Sequence, residues 1–414
     1  MKILLLTLYL IVTCLRFALD RLNQSHRRKT HRPLPAAFAG QIDNERLQRS
    51  DAYALAKDRL SAVEKLISFV FILWFLFGGL LPWYDRWIAG LSDGFIRAGL
   101  LFFALILLLQ LVVDIPFSLY RNFVLETRFG FNRMSFKLWC ADLMKSLLVG
   151  GVLFVLLGGG ALWLVRMAPQ NWWLLVWGFW SLVSLFLIYL SPYLIEPLFF
   201  KFSPLAKPEL DDAVRKLLGK AGVEAGQVLQ VDASRRSGHS NAYFTGIGMV
   251  KRVVLFDTLM EQLEDEELLA VLAHELGHWR WGHIRLRLLQ SLLTSFVGLW
   301  LAFYLLDSGR VSAWLGLEQI SFYAQVFVIG WLAGLVGFFW TPFSSWWSRR
   351  QERQADQFAV DMVGGGRELA GGLVKLAREN LSNLFPHPLY AAFYFSHPPL
   401  VERVIWLEQS SPSR

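Results

Sequence analysis

The chain has 414 residues, of which 55% are hydrophobic and 18% charged, and its mean hydropathy is +0.40. Soluble domains carry ~25% charged residues; here the apolar excess comes in long blocks, which excludes an ordinary soluble domain and gives an integral membrane protein. The formal net charge of +8 does not argue for nucleic acid, because the basic residues gather between apolar blocks, as membrane orientation requires.

Seven stretches approach the ~20 apolar residues that cross a bilayer, near 3–19, 64–83, 98–119, 147–165, 172–192, 286–306 and 322–342. The first, "MKILLLTLYLIVTC", has the lysine and apolar core of a secretory signal. No small-x-small cleavage site follows it, and Thr13 before Cys14 makes a poor lipoprotein box, so a retained helix is expected. Cys14 and Cys140, the two cysteines, make neither a disulfide framework nor a metal knuckle and are expected as small buried hydrophobes. The loop after the first span carries "SHRRKTHR" and the loop after the third "YRNFVLETRFGFNRMSFK", whereas "YDRWIAGLSDGFIR", "RMAPQNWW" and "DSGRVSAWLGLEQ" are poor in Lys and Arg. That alternation predicts the N-terminus outside, and the basic loops, residues 200–285 and the C-terminus inside. Gly158 to Gly160 in the fourth span suit close helix packing better than a ligand.

Residues 200–285 read as a small soluble insert. "KPELDDAVRKLLGKAG" places Leu210, Val214, Leu217 and Leu218 on one helical face. "VLQVD", "NAYFTG" and "KRVVLFD" read as short strands, the last two joined by a glycine-bearing turn. "EDEELLAVLAHELGHW" opens a helix with acidic residues in its first turn, which suit the positive helix end. After the last span, residues 343–414 form a second inner segment, mostly helical and broken by Gly364 to Gly366 and by "HPPL".

His274 and His278 stand at i and i+4 on that helix, so both imidazoles can reach one metal ion. Glu275 lies one residue round, placed to hold a metal-bound water rather than to ligate. Zinc lowers the pKa of such a water towards ~7, and a carboxylate can then take its proton during attack on a carbonyl. The bland alternative, a surface helix with chance histidines, is weakened by the scarcity of His, 8 in 414 residues. A catalytic zinc takes three protein ligands. His283 is displaced from His278 by about 140° on a continuing helix, so it is expected as an interfacial or supporting histidine. Glu352 in "SRRQERQADQFAV" is the better third ligand, with Asp356 one turn on to orient a ligating histidine. Alone, that pair is more often a solvated helix face; its place after an antiparallel pair of spans returns it to the level of His278.

These motifs together resemble the a-factor-converting type of CAAX prenyl protease, an integral-membrane zinc metalloprotease family. The resemblance covers most of the chain: "ETRFGFN", "PLFFKFSPL", "SGHSNAYFTG", "KRVVLFDTLM", "HELGHW", "ERQAD" and "SHPPLVERV". It implies His274, His278 and Glu352 as zinc ligands, Glu275 as catalytic base and Asp356 as the support of a ligand. It also implies His397 and Arg403 near the scissile bond or on the peptide, Asn241 along the substrate groove, and an interior chamber. Glu196 stands where the family usually has a small residue, and Phe200 replaces a polar one; both touch the groove entrance more than the chemistry. Read from the residues, "NAYFTG" can offer a free strand edge to an extended peptide or be an ordinary hairpin strand. His397, fixed in an extended turn before two prolines, can stabilise an oxyanion or be a structural loop histidine. Arg403 can anchor a substrate carboxylate or pair with a nearby acid.

The expected architecture is an all-α membrane bundle of about seven spans with a small α+β zinc-protease domain. Its stretches are 1–199, the first five spans; 200–285, the zinc-protease insert; 286–342, the sixth and seventh spans; and 343–414, a helical segment completing the active site. The expected activity is zinc-dependent hydrolysis of membrane-tethered or hydrophobic peptides, prenylated or not, with Zn2+ as cofactor and the bilayer as partner. Two rivals stay open: a broad quality-control protease for membrane proteins, and a non-catalytic chamber or transporter with a structural metal. Glu275 argues against the second, since a structural site needs no base. Compact loops and the lack of a retention signal after "SPSR" favour a bacterial inner membrane, with the zinc domain on its cytoplasmic side.

Overall fold

The computed structural model describes residues 1–29, 34–223, 226–245, 252–317 and 319–410. In chain order, α1 (Lys2–Lys29), α2 (Asn44–Phe77), a short α3 (Leu80–Leu91), α4 (Phe95–Tyr120), α5 (Phe136–Met167) and α6 (Trp172–Leu194) come first. A mixed segment follows: β1 (Phe202–Pro204), α7 (Pro208–Lys220), β2 (Gln227–Val231), β3 (Ala242–Thr245), β4 (Arg252–Phe256) and α8 (Asp265–Arg280). The chain ends with α9 (His283–Asp307), α10 (Phe322–Val363), α11 (Arg367–Glu379) and α12 (Leu400–Gln409). Seven of the described helices, α1, α2, α4, α5, α6, α9 and α10, are long and apolar enough to cross a membrane. The protein is thus a seven-helix membrane bundle joined to a small α+β domain.

The helices begin where side chains satisfy their free amides. Asp43 Oδ1 accepts from Arg46 N at 2.7 Å to start α2, and Ser135 and Ser321 do the same for α5 and α10. Glu264 and Glu267 form a reciprocal capping box at the head of α8. The second span ends earlier than hydropathy predicts. Gly79 adopts φ +86°, so residues 80–83 belong to α3, which buries Leu81, Tyr84 and Ile88 and stacks Trp83 on Trp87 at 5.9 Å. Gly160 fits its packing role, since a Cβ there would come within 2.9 Å of Phe179. Cys14, expected to be buried, is exposed on an outer face of α1 beside exposed Ile11 and Leu15; apolar periodicity does not say whether protein or lipid covers a face.

The sheet runs β1-β2-β4-β3, with β2 parallel to β4 and β3 antiparallel to it. β1 was not foreseen: three residues ending in proline give no pattern. The glycine-bearing turn expected between β3 and β4 lies outside the described residues. Leu210, Val214, Leu217 and Leu218 of α7 are all buried and share a core with Val253 and Leu255 of β4 and Leu268, Leu272 and Leu276 of α8. β3 is left as an edge strand, and it lies against α8.

Two features of the α8–α9–α10 unit position the site. α8 does not run into the sixth span: it stops at Arg280, and Gly282, at φ +67°, turns the chain into α9. α10 is one rod of 42 residues, about 63 Å at 1.5 Å per residue, so it carries the seventh span and continues past residue 342 and Pro342 to Glu352 and Asp356. α8 meets it at Gly277, where an added Cβ would lie 2.8 Å from Ala355 Cα and 3.1 Å from its carbonyl oxygen. A methyl at that position must push the two backbones apart. Gly277→Ala is expected to lower stability by about 1–3 kcal/mol and to reduce metal content, read by thermal unfolding and metal analysis. Gly298→Ala, with nothing near its Cβ position, is the control expected to change neither.

Candidate metal centre

His274 and His278 of α8 face Glu352 of α10 across the Gly277–Ala355 contact. His274 Nε2 lies 3.3 Å from His278 Nε2 and 3.3 Å from Glu352 Oε2, and His278 Nε2 lies 3.3 Å from Glu352 Oε1. Ligands 2.0–2.2 Å from a tetrahedral zinc stand about 3.3–3.5 Å from one another, so the spacing fits a single such ion. Glu352 is 2% exposed, and its Oε2 is buried without a hydrogen-bond partner. Among the described residues, this trio is the group that could hold a metal ion.

Both histidines are held from behind. His274 Nδ1 donates to Asp356 Oδ1 at 2.8 Å. Asp356, 1% exposed, in turn accepts from Arg403 Nε at 2.7 Å and Nη2 at 2.5 Å. His278 Nδ1 lies 2.9 Å from His283 Nδ1, and His283 Nε2 lies 3.1 Å from Gln354 Oε1. If Gln354 accepts from His283 Nε2, then His283 Nδ1 is the acceptor and His278 Nδ1 the donor. That leaves His278 Nε2 as a free lone pair towards the ion, and a ligand's tautomer is commonly fixed in this way. The 140° displacement applied to a continuing helix; the turn at Gly282 removes it and brings His283 back to His278.

Glu275 is half-buried on the same turn of α8. Burial raises its carboxyl above its ordinary value, while His274 and His278 pull it down. His397 approaches from the far side: its Nε2 is 3.4 Å from Glu352 Oε2, its Nδ1 is 2.9 Å from Ser396 Oγ, and its side chain is 59% exposed. Arg403 is buried and pairs with an acid, Asp356, one of the two readings its sequence allowed. Asn241 is exposed at the head of β3, with Oδ1 accepting from Ala242 N at 2.9 Å. Among the described residues it makes no hydrogen bond or ion pair with His274, His278 or Glu352, so the structure brings together every candidate except this one.

His397 and Arg403 line a cavity of about 670 Å3 that also reaches Lys57 and His239. Its wall contains a network the sequence motifs contained but did not explain. The last turns before Thr127 are a π-helix, Arg121–Glu126, and Glu126 Oε1 accepts from Tyr53 at 2.8 Å while its Oε2 lies 3.4 Å from His239 Nε2. His239 stacks on Phe131 at 4.2 Å and contacts Asn380 Oδ1 at 2.9 Å. Of the two departures from the family pattern, Glu196 accepts from Tyr243 of β3 at 3.0 Å, and the Arg236 guanidinium lies 4.7 Å over the Phe200 ring.

Residues 23–201 match the family model described as the CAAX prenyl protease N-terminal region with five membrane helices, and residues 204–411 match Peptidase family M48. The CAAX prenyl protease 1 homolog of Arabidopsis thaliana is 33% identical, over 90% of this chain and 89% of its own length. CAAX prenyl protease 1 of Saccharomyces cerevisiae is 32% identical, over 94% and 92%. The crystal structure of S. mikatae Ste24p superimposes with a TM-score of 0.84 at 28% identity, over 97% of this chain and 99% of that one. Glu352→Ala is expected to lose the metal or hold it loosely, and Glu275→Gln to keep it and lose turnover. Metal analysis of both purified variants checks this, and full occupancy in Glu352→Ala would remove that residue from the site.

Proposed function

We infer the reaction from one premise: the chain belongs to peptidase family M48 and is a membrane-embedded metalloprotease. The ion we propose is zinc, held by His274, His278 and Glu352; the 3.3 Å spacing of their ligand atoms carries this reading. When bound, zinc supplies Lewis acidity at the scissile carbonyl and towards the attacking water. Glu275 takes the proton from that water as its oxygen adds to the carbonyl carbon, then delivers it to the leaving nitrogen as the C–N bond breaks. His397, with an accessible ring beside the ligand set, donates to the developing oxyanion. Asp356 holds His274 in orientation, and Arg403 holds Asp356 while bordering the cavity. Asn241 and the outer edge of β3 receive the substrate backbone as an added strand.

The substrate class we propose is the one named by the relatives: a C-terminal peptide beyond a prenylated cysteine. A lipid contributes roughly 0.8 kcal/mol of membrane affinity per buried CH2, which concentrates a tethered peptide beside a bundle-borne site without a dedicated lipid pocket. Cleavage is therefore expected both of a farnesylated C-terminal peptide and, more weakly, of an unprenylated hydrophobic peptide of the same extended length. Parallel assays with Glu275→Gln as the blank decide it. Turnover of the lipidated peptide alone would establish a true prenyl pocket, and turnover of neither would remove C-terminal processing.

We place the metal domain on the cytoplasmic side of a bacterial inner membrane. Both basic loops are tied to it: Arg46 Nη2 to Glu379 Oε2 at 3.0 Å, and Asp142 Oδ2 to Arg236 Nε at 2.8 Å. The positive-inside bias then orients the domain with the loops. In a variant lacking Cys14 and Cys140, a cysteine at exposed Lys216 is expected to resist an impermeant thiol reagent in intact cells. A cysteine at exposed Ala313, in the loop between the last two spans, should react. Reversal of the two would invert the orientation.

A further inference from the structure

We propose that Lys57, which lines the same cavity as His397 and Arg403, binds the α-carboxylate of the C-terminal substrate segment. This rests on the C-terminal reading above. Release of the three residues beyond a prenylated cysteine requires the enzyme to tell a chain end from an internal segment. The group that distinguishes them is the terminal carboxylate, so the reading calls for a cation a few residues past the scissile bond.

The cavity supplies one. His397, whose Nε2 lies 3.4 Å from Glu352 Oε2, lines it together with His239 and with Lys57 on α2. His239 stands two residues before Asn241 at the head of the edge strand. A peptide laid antiparallel on β3 carries its C-terminal half past that end of the strand, into the cavity.

The other charges along the wall are engaged. Arg403 gives Nε and Nη2 to Asp356. Asp58 pairs with Arg27, and Glu126 is held by Tyr53 and His239 while also feeling the Lys57 charge. Among the described residues no carboxylate lies within ion-pair distance of the Lys57 ammonium, which sits 5.0 Å over the Tyr53 ring. That ring is fixed through its hydroxyl to Glu126, so the lysine rests on a rigid support. Ser382, Asn383 and Asn380 add polar lining nearby, which suits a hydrated carboxylate and a short peptide better than a lipid.

The test compares one farnesylated peptide as its free acid and as its C-terminal amide, using the full-length enzyme. The wild type should prefer the acid by about tenfold in kcat/KM, the scale of one charge-assisted hydrogen bond. Lys57→Ala should bring the acid-to-amide ratio close to one, and Lys57→Arg should keep it. The same collapse should appear in peptide binding when Lys57→Ala is combined with Glu275→Gln, which holds the substrate uncleaved. Equal wild-type use of acid and amide, or a preference that survives Lys57→Ala, overturns the carboxylate site and leaves C-terminal processing standing. If the wild type cuts neither peptide at the bond after the modified cysteine, the processing reading itself fails and this proposal with it.

Discussion

The structure depends on a contact between two helices that carry opposite halves of a charged site. α8 brings two imidazoles and α10 brings two carboxylates, and they meet where Gly277 presses on the backbone of Ala355. Glu352 and Asp356 are both nearly inaccessible. A buried, unpaired carboxylate costs several kcal/mol, so the contact depends on the groups that meet these two charges. Asp356 is met by Arg403 and His274. Glu352 has imidazoles beside it and an unsatisfied Oε2, the position where a cation contributes most. With the ligand set we propose, metal binding would favour the docking of α10 on α8.

This contact explains why a metal helix stands next to a membrane span. A continuous helix through residues 265–307 would fix the direction of the site by the direction of the span. Gly282 removes that constraint: α8 can lie along α10 and the sheet while α9 takes the path of a span. α10 then does the reverse and stays unbroken from the bundle into the site. One turn and one rod couple the membrane to the ligand set. The edge strand is tied in as well, since Glu196, at the end of the fifth span, accepts from Tyr243 of β3. Glu196 looked like a departure at the groove entrance; in three dimensions it links a span to the strand that we propose receives substrate.

Much of this was legible in the sequence, for reasons that differ by element. The spans follow from apolar length alone. The metal helix follows from histidine spacing, and α7 from the four apolar residues that all prove buried. What was hidden depends on partners far apart in the chain. The sequence offers His283 as an interfacial or supporting histidine but cannot name what it supports, because its contacts are His278 across a turn and Gln354 on another helix. Glu126 and His239 are separated by 113 residues and become neighbours through a π-helical turn and the pairing of Asn132 with Ser237. Nothing local in either motif carries that. Arg403 shows a third kind of gap: its sequence allowed a substrate anchor or an internal ion pair, and only the position of Asp356 distinguishes them.

The rival reading, a chamber with a purely structural metal, meets the geometry at one point. Structural zinc sites are closed by four protein ligands, whereas catalytic ones keep a position open. Among the described residues the ligand group here has three members. His397 comes within 3.4 Å of Glu352 but is not part of that group, and its ring is exposed on the cavity. A structural site would gain from bringing His397 in as a fourth ligand and covering it. Instead, His397 stays accessible on the cavity, and half-buried Glu275 stands on the same turn as the proposed histidine ligands. Three candidate ligands with a carboxylate on the same helical turn as the histidines suit hydrolysis, and a site built only for stability needs no such carboxylate.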